Sequence, residues 1–186
     1  MTISAMVMMF SMSGCTTIKM GTTFMGFEPE TQEAYAKMMD VVEESGDPAK
    51  AMMNEWIVSE DVTSDEIKED ILPALAEEYN MRVTGYVNMF TKEDAKSDEV
   101  KNARIWSLCS LSIAKKFLNH SRYFGGFMPC RIMLVEYGDG RRYLISMDLT
   151  LAIYGGDPLP KEMLELSLSV RKAMQEIPAR AAEGDF

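Results

Sequence analysis

One stretch in the second half of the chain constrains its fold more than any other. Residues 132–137 and 142–146 are rich in β-branched, aromatic and large apolar side chains, which favour strands. Between them lies Gly138-Asp139-Gly140, where backbone conformations with positive φ cost little. The stretch therefore predicts a β-hairpin. Its first strand is expected to begin at Cys130, because Pro129 is tolerated at the start of a strand but not inside a ladder.

Hydrophobic periodicity and capping signals predict the other elements of the chain. Thr63 and Glu66 have the spacing of a capping box, and Pro73 is expected to kink the helix that follows or to begin a second segment. Ser110 is expected to cap another helix, and Pro160 to open the last one. In order, the predicted elements are a strand within 52–62, a helix over 63–79, a strand at 81–89, a charged loop or short helix at 91–102, a strand at 104–109, a helix at 111–122, the hairpin, an extended segment at 148–153, a helix from 160 to about 178 and a short tail to 186.

This order of elements predicts a single small α+β domain over residues 50–186, with helices packed on one face of a mostly antiparallel sheet. Residues 31–49 precede it as a short amphipathic helix, with Thr31 as its N-cap and Gly46 just beyond its end. Residues 15–30 contain glycine, threonine and proline with little periodicity, which predicts a tether.

The beginning of the chain predicts where in the cell the protein is located. Residues 3–10 form an uncharged apolar run that is too short to cross a bilayer as a helix but suits the hydrophobic region of a signal peptide. Small residues then precede Cys15, which resembles the lipobox of bacterial lipoproteins. The interpretation is a leader over residues 1–14, a lipid such as palmitate on Cys15 and a membrane-anchored protein of the bacterial envelope that faces the periplasm. The alternative is a buried N-terminal element with a free thiol.

Composition and motifs exclude several classes of function. The chain has 29 acidic and 19 basic residues, a net charge of −10, and no basic stripe, so nucleic acid is not an expected partner. No motif for a hydrolase, a kinase or a nucleotide-binding site is present. His120 is the only histidine, which excludes catalytic triads and metal sites with several histidines. The sequence therefore favours a non-enzymatic binding or interaction module, and no residue pattern identifies a cofactor.

The residues that remain as candidates for chemistry are two cysteines and their neighbours. Cys109 is predicted at a strand-to-helix junction, where a helix N-terminus lowers the pKa of a thiol. Cys130 stands at the predicted start of the hairpin and is followed by Arg131. Antiparallel pairing of the two strands would bring the cysteines close together, and parallel pairing would separate them.

Three interpretations of the cysteines stay open. In the first, both are small buried hydrophobic residues or form a structural disulfide. In the second, Cys109 is a reactive thiolate and Cys130 its resolving partner, with Arg131 supplying positive charge, for redox chemistry or for binding a sulfur compound. In the third, the cysteines bind a soft metal or haem together with His120 and Met128.

Several short segments of the chain together carry a resemblance to a known family. They are Leu108-Cys109, the Ala114-Lys-Lys-Phe-Leu118 helix, Phe127–Glu136, the Asp139-Gly140 turn, Ser146–Leu149, Ile153–Gly156, Leu159-Pro160 and Ala182–Phe186. These segments resemble the family of bacterial and archaeal domains of unknown function called DUF302. The resemblance covers residues 50–186 and is most specific at the Pro-Cys-Arg sequence that opens the hairpin. It implies a small α+β fold that is often seen as a dimer, and it implies no established chemistry.

Overall fold

A computed structural model describes residues 16–186, so the proposed leader and Cys15 lie outside the described residues. The domain is built on a five-stranded sheet in which every pair of neighbours is antiparallel, in the order β1-β5-β4-β3-β2. This confirms the predicted α+β class, the single domain and the hairpin, which is formed by the last two strands. The strands are β1 (Met53–Ile57), β2 (Arg82–Thr91), β3 (Val100–Cys109), β4 (Cys130–Tyr137) and β5 (Arg142–Met147).

Helices pack against this sheet, and short 3₁₀ turns lie at Lys50–Met52 and Arg122–Phe127. Within residues 16–186, no helix is long and apolar enough to cross a membrane. The labelled helices are α1 (Pro29–Ser45), α2 (Ser64–Glu66), α3 (Leu72–Glu78), α4 (Leu111–His120), α5 (Thr150–Tyr154) and α6 (Lys161–Glu183).

The core lies on one face of the sheet, which we call the inner face. Alternate residues of the central strands point toward it, because successive side chains in a strand point to opposite faces. Helices α3 and α6 pack on these residues and complete the core, as predicted for helices on one face. Its most deeply buried members are Ile67, Leu72, Leu75, Trp106, Leu108, Ile132, Leu134, Leu144 and Ile177.

The opposite, outer face of the sheet carries apolar side chains, and no helix layer formed by residues 16–186 packs on it. The strand register aligns Val87, Ile105, Met133, Ile145 and Glu55 in one row across all five strands. Val87 is 56% exposed at one end of this row. Neighbouring rows add Ile57, Met53, Tyr143, Val135, Met147, Ser107 and Arg131.

The helical region after β1 follows its sequence signals closely. The Thr63 hydroxyl accepts a hydrogen bond from the Glu66 amide and the Glu66 carboxylate accepts one from the Thr63 amide, which confirms the capping box. A π-helical turn, Ile67–Ile71, separates α2 from α3, and Pro73 lies in the first turn of α3. The second of the two outcomes expected for the proline is therefore the one observed.

The N-terminal segments differ from their predictions. Residues 16–25 are helical, although their glycines and threonines predict an irregular tether. Helix α1 begins at Pro29, a residue suited to the first turn, so Thr31 is not its N-cap. The Thr31 hydroxyl is buried and donates a 3.1 Å hydrogen bond to the Gly156 carbonyl instead. Gly46 ends the helix in the left-handed conformation, as predicted.

Two further predictions are wrong near the C-terminus. Residues 150–154 form helix α5 rather than an extended segment, because the Asp148 carboxylate accepts hydrogen bonds from the Thr150 amide and hydroxyl and starts a helical turn. The last helix does not end near residue 178 but continues through Pro178 to Glu183. Its last turn belongs to the core, since Ala182 is buried and its carbonyl accepts a 2.8 Å hydrogen bond from the Ser59 amide.

Candidate functional site

A pocket lined by apolar side chains lies where β4 begins, and it is the candidate functional site. Helices α4, α5 and α6 and the 3₁₀ turn at Arg122–Phe127 form its walls. Its cavity volume is about 70 Å³, which is below the range of drug-sized ligand sites and leaves room for a small apolar group. The lining residues are Ile113, Phe117, Phe124, Phe127, Met128, Cys130, Leu149, Ala152, Ile153, Ser167 and Val170.

Aromatic rings form one wall of the pocket. The ring centroids of Phe117 and Phe124 are 5.0 Å apart in an edge-to-face arrangement, and those of Phe124 and Phe127 are 6.4 Å apart. Such geometries are the favoured ones for aromatic pairs, so the rings hold each other in place. A Cβ atom at Gly125 would lie 3.3 Å from the Leu118 side chain, so this glycine lets the turn pack closely against α4.

Within residues 16–186, the lining contains no charged side chain, and Cys130 and Ser167 supply its only thiol and hydroxyl groups. Most of the surface that the pocket offers a ligand is therefore apolar, and removing such surface from water is favourable.

Phe127 links the pocket to two neighbouring grooves. Its side chain, 42% exposed, also lines a groove that lies between α1, β1 and α5. It lines a third groove on the outer face as well, together with Met133 and Ile145. A ligand that fills the pocket would therefore contact Phe127, where the pocket adjoins the two grooves.

The strand register decides the question that the sequence left open about the two cysteines. Strands β3 and β4 are antiparallel, and Leu108 pairs with Cys130, so Cys109 and Cys130 lie at the same end of the sheet. Both are free thiols. Leu108 shares the inner face with Cys130, whereas Cys109 pairs with Arg82 one position further along β3.

The environment of the thiols opposes ionisation. Burial raises the pKa of Cys130 to about 11, and the nearby Cys109 adds to the shift. Burial also raises the pKa of Cys109 above its ordinary value. The predicted lowering of the Cys109 pKa is therefore wrong: the pKa is raised, and burial of the thiol is the cause.

The remaining predicted site residues are dispersed. Arg131 is exposed, pairs with Ser107 and belongs to the outer face, so its guanidinium lies across the sheet from the pocket. His120 ends α4 with its ring 6.2 Å from that of Phe124, outside the pocket lining. Met128 lines the pocket beside Cys130. Within residues 16–186, no group of three or more histidine, cysteine, aspartate and glutamate side chains is placed to hold a metal ion.

The aromatic wall and the contribution of α5 were not predicted. No element is predicted between the helix at 111–122 and the hairpin, where the structure has the 3₁₀ turn that carries Phe124 and Phe127. Leu149, Ala152 and Ile153 were assigned to an extended segment, where their common face on a helix is not visible. Only Cys130 and Met128 are both predicted candidates and lining residues.

The comparisons with known proteins agree with this fold. The model of the family described as domain of unknown function DUF302 matches residues 57–179. The chain belongs to the DUF302 family. A crystal structure of the uncharacterized conserved protein DUF302 from Bacillus stearothermophilus superposes with a TM-score of 0.53 at 14% sequence identity, over 70% of this chain and 98% of that one. No curated protein matches the chain.

The matched DUF302 region contains the whole lining of the pocket, from Ile113 to Val170. Residues 16–56 lie before it and include α1, which lines the neighbouring groove through Ala34, Met38 and Val41. The pocket is thus part of the DUF302 domain, and the groove is partly built by the segment that precedes it.

Proposed function

We propose that this DUF302 protein is a non-enzymatic binding module, held at the cell envelope, whose pocket accepts an apolar ligand such as an alkyl chain or an unsubstituted ring. The observation that supports the proposal is the composition of the lining, in which nine of the eleven side chains named above are hydrocarbon or thioether groups. Binding then derives from removal of apolar surface from water, at roughly 25 cal/mol for each Å² buried.

A series of straight-chain alcohols of increasing length tests the pocket. We expect the melting temperature of the protein to rise with chain length until the pocket is full, because a ligand that binds only the folded state stabilises it. Ala152→Phe fills the pocket and should abolish the shift. Ala49→Phe, at an exposed position outside the lining, is the matched control and should keep it. An equal shift in the Ala152→Phe variant contradicts the proposal.

The envelope location rests on the residues before the described part of the chain. The apolar run at residues 3–10 and the small residues before Cys15 support a lipid on the Cys15 thiol. A fatty-acid analogue supplied to the native host should label the wild-type protein, and Cys15→Ala should abolish labelling. Unlabelled wild-type protein at normal expression contradicts the anchor.

We further propose that two copies of the domain associate through the outer face. The row from Val87 to Ile145 is apolar in four strands and ends at Glu55 in the edge strand β1, where Met53 and Ile57 lie in the rows on either side. Ile57 is 72% exposed, and exposure of an apolar side chain to water is unfavourable. A second copy bound at this face would remove that side chain from water. The few charges of this face include both Glu55 and Arg131, so two identical faces can meet without like-charge repulsion.

A thiol function is the second candidate, because the register brings Cys109 and Cys130 to one end of the sheet as free thiols. It requires a disulfide between them that forms and is reduced reversibly. Alkylation of the native protein, compared with Cys109→Ser and Cys130→Ser, tests it: thiols that react only after denaturation exclude it. A coloured or metal-loaded preparation would instead favour soft-metal or haem binding by the cysteines with His120 and Met128.

A further inference from the structure

The helical residues 16–25 divide into an apolar and a polar half. At 100° for each residue, Ile18, Met20, Phe24 and Met25 fall within one half of the helix, which also contains Thr17 and Gly21. The other half carries only threonines and a lysine, namely Thr16, Lys19, Thr22 and Thr23. This is the pattern of a helix that lies at an interface between water and an apolar phase.

The body of the protein does not cover the apolar half. Ile18 is 67% exposed, Met20 65% and Met25 80%. Only Phe24 is half-buried among the four. Exposed apolar side chains that cluster on one side of an element indicate an interaction surface, since removing them from water is favourable.

The distribution of charge in the chain indicates which kind of partner suits this apolar surface. All 29 acidic residues lie at or after Glu28, whereas Lys19 is the only charged residue between residues 16 and 27. An anionic membrane surface repels the acidic body but attracts a lysine beside an apolar helix face. The segment is therefore the part of the described chain that is suited to approach phospholipid.

We propose that residues 16–27 lie in the plane of an anionic phospholipid surface, with Ile18, Met20 and Met25 inserted among the acyl chains and Lys19 at the headgroups. The proposal deepens the envelope location proposed above, because a lipid on Cys15 would place the helix directly at the surface. A segment of this size binds weakly by itself. Its function is to orient a protein that the lipid already holds.

Contacts to α1 transmit this orientation to the domain. The Phe27 ring stacks on Tyr35 with centroids 5.8 Å apart, and the Gln32 side chain donates a 2.7 Å hydrogen bond to the Phe27 carbonyl. Tyr35 in turn donates a 2.9 Å hydrogen bond to the Gly155 carbonyl, beside the bond from Thr31 to Gly156. The helix at the membrane is thus joined to the loop that follows α5, beside the pocket.

Fluorescence quenching on tethered protein tests the proposal. Residues 1–15 are replaced by a histidine tag, which leaves the core from Val58 to Ala182 intact, and the protein is bound to phosphatidylglycerol vesicles through a nickel-chelating lipid. In a Met25→Trp variant, acyl chains brominated near the headgroup should quench most of the added emission. Leu111→Trp, at a position 61% exposed on α4, is the matched control and should not be quenched. Emission of the native tryptophans is subtracted using the unsubstituted protein.

Two results overturn the proposal: equal quenching of the Met25→Trp and Leu111→Trp variants, or quenching of Met25→Trp that persists when Ile18→Glu is added. The Ile18→Glu change is expected to abolish quenching because it places a carboxylate on the inserted half. Because the tag supplies the tether, failure here is distinguishable from failure of the lipid anchor, which the labelling of Cys15 tests separately.

Discussion

The Ser146 hydroxyl donates a 3.1 Å hydrogen bond to the carbonyl oxygen of Met174, in the buried layer between β5 and α6. That carbonyl is four residues before Pro178, which has no N–H group to donate to it. A side chain of the sheet thus replaces the hydrogen bond that the helix lacks. This explains why α6 continues through a proline and why a serine that is only 2% exposed stands among core residues.

This pairing predicts a coupled pair of substitutions. Ser146→Ala should lower the free energy of unfolding by about 1–3 kcal/mol, because it leaves a buried carbonyl without a donor. In a Pro178→Ala background the helix supplies its own N–H group, so the same change should cost clearly less. Urea unfolding of the four proteins of this double-mutant cycle measures the difference. Equal costs in both backgrounds would contradict the replacement.

The buried thiol at the pocket predicts a loss of stability at alkaline pH. The pKa of Cys130 rises from 9.0 to about 11 on folding, so the unfolded chain releases this proton first. The stabilisation is complete below about pH 9 and is lost as pH rises toward about 11, at no more than about 1.4 kcal/mol for each pH unit. Burial of Cys109 acts in the same direction.

Urea unfolding at several pH values between about 8 and 11 checks this loss. The wild type should lose more stability over the window than Cys130→Ala does. A parallel loss in both proteins would show that other groups control the alkaline transition.

The outer face predicts a variant that separates the two copies. Val87→Glu, at a position 56% exposed, should weaken self-association at least tenfold, since a charge would be buried without a partner. Leu118→Glu makes the same change on α4, at a position 45% exposed outside the sheet, and should leave association unchanged. Sedimentation at tens of micromolar measures both. A wild-type protein that is monomeric there contradicts association through this face.

The turn between β4 and β5 contains a glycine, Gly138, at a position where the fold leaves no room for a side chain. A Cβ atom at Gly138 would clash with the backbone carbonyl of Lys96, in the β2–β3 loop that packs on this turn. Gly138→Ala should therefore destabilise the protein by about 2 kcal/mol or more. Gly156→Ala, where a Cβ meets nothing within 4 Å, is the control and should be near neutral in thermal unfolding.

Local signals account for the parts of the fold that the sequence predicted. The capping box at Thr63 and Glu66 and the glycines of the hairpin turn act within a few residues, so they are visible in the sequence. The extension of α6 was not predicted, because Pro178 indicates a helix end unless its lost hydrogen bond is replaced, here by Ser146 of β5. Helix α5 carried a local signal, the Asp148 carboxylate that accepts a hydrogen bond from the Thr150 amide, but the apolar run after it obscured this signal.

The candidate site was predictable only in part for the same reason. Cys130 and Met128 stand beside Pro129, whose effect on the chain is local. The opposite wall of the pocket comes from Phe117 and Val170, which are brought together by packing between α4 and α6. The pKa of Cys109 also depends on this packing, because desolvation is a property of the whole surroundings and not of the neighbouring helix end.

The buried last turn of α6 has a practical consequence for dividing this chain into pieces. The family match ends at residue 179, yet Ala181 and Ala182 are 0% and 2% exposed, and the Ser59 amide bonds to the Ala182 carbonyl. A fragment that ended at the family boundary would lack these residues. The core beside Val62 would then be exposed to water, and the loop after β1 would lose the hydrogen bond from Ser59 to Ala182. The physical unit ends at Gly184, whose left-handed conformation closes the helix, and a tag placed after Phe186 leaves that unit whole.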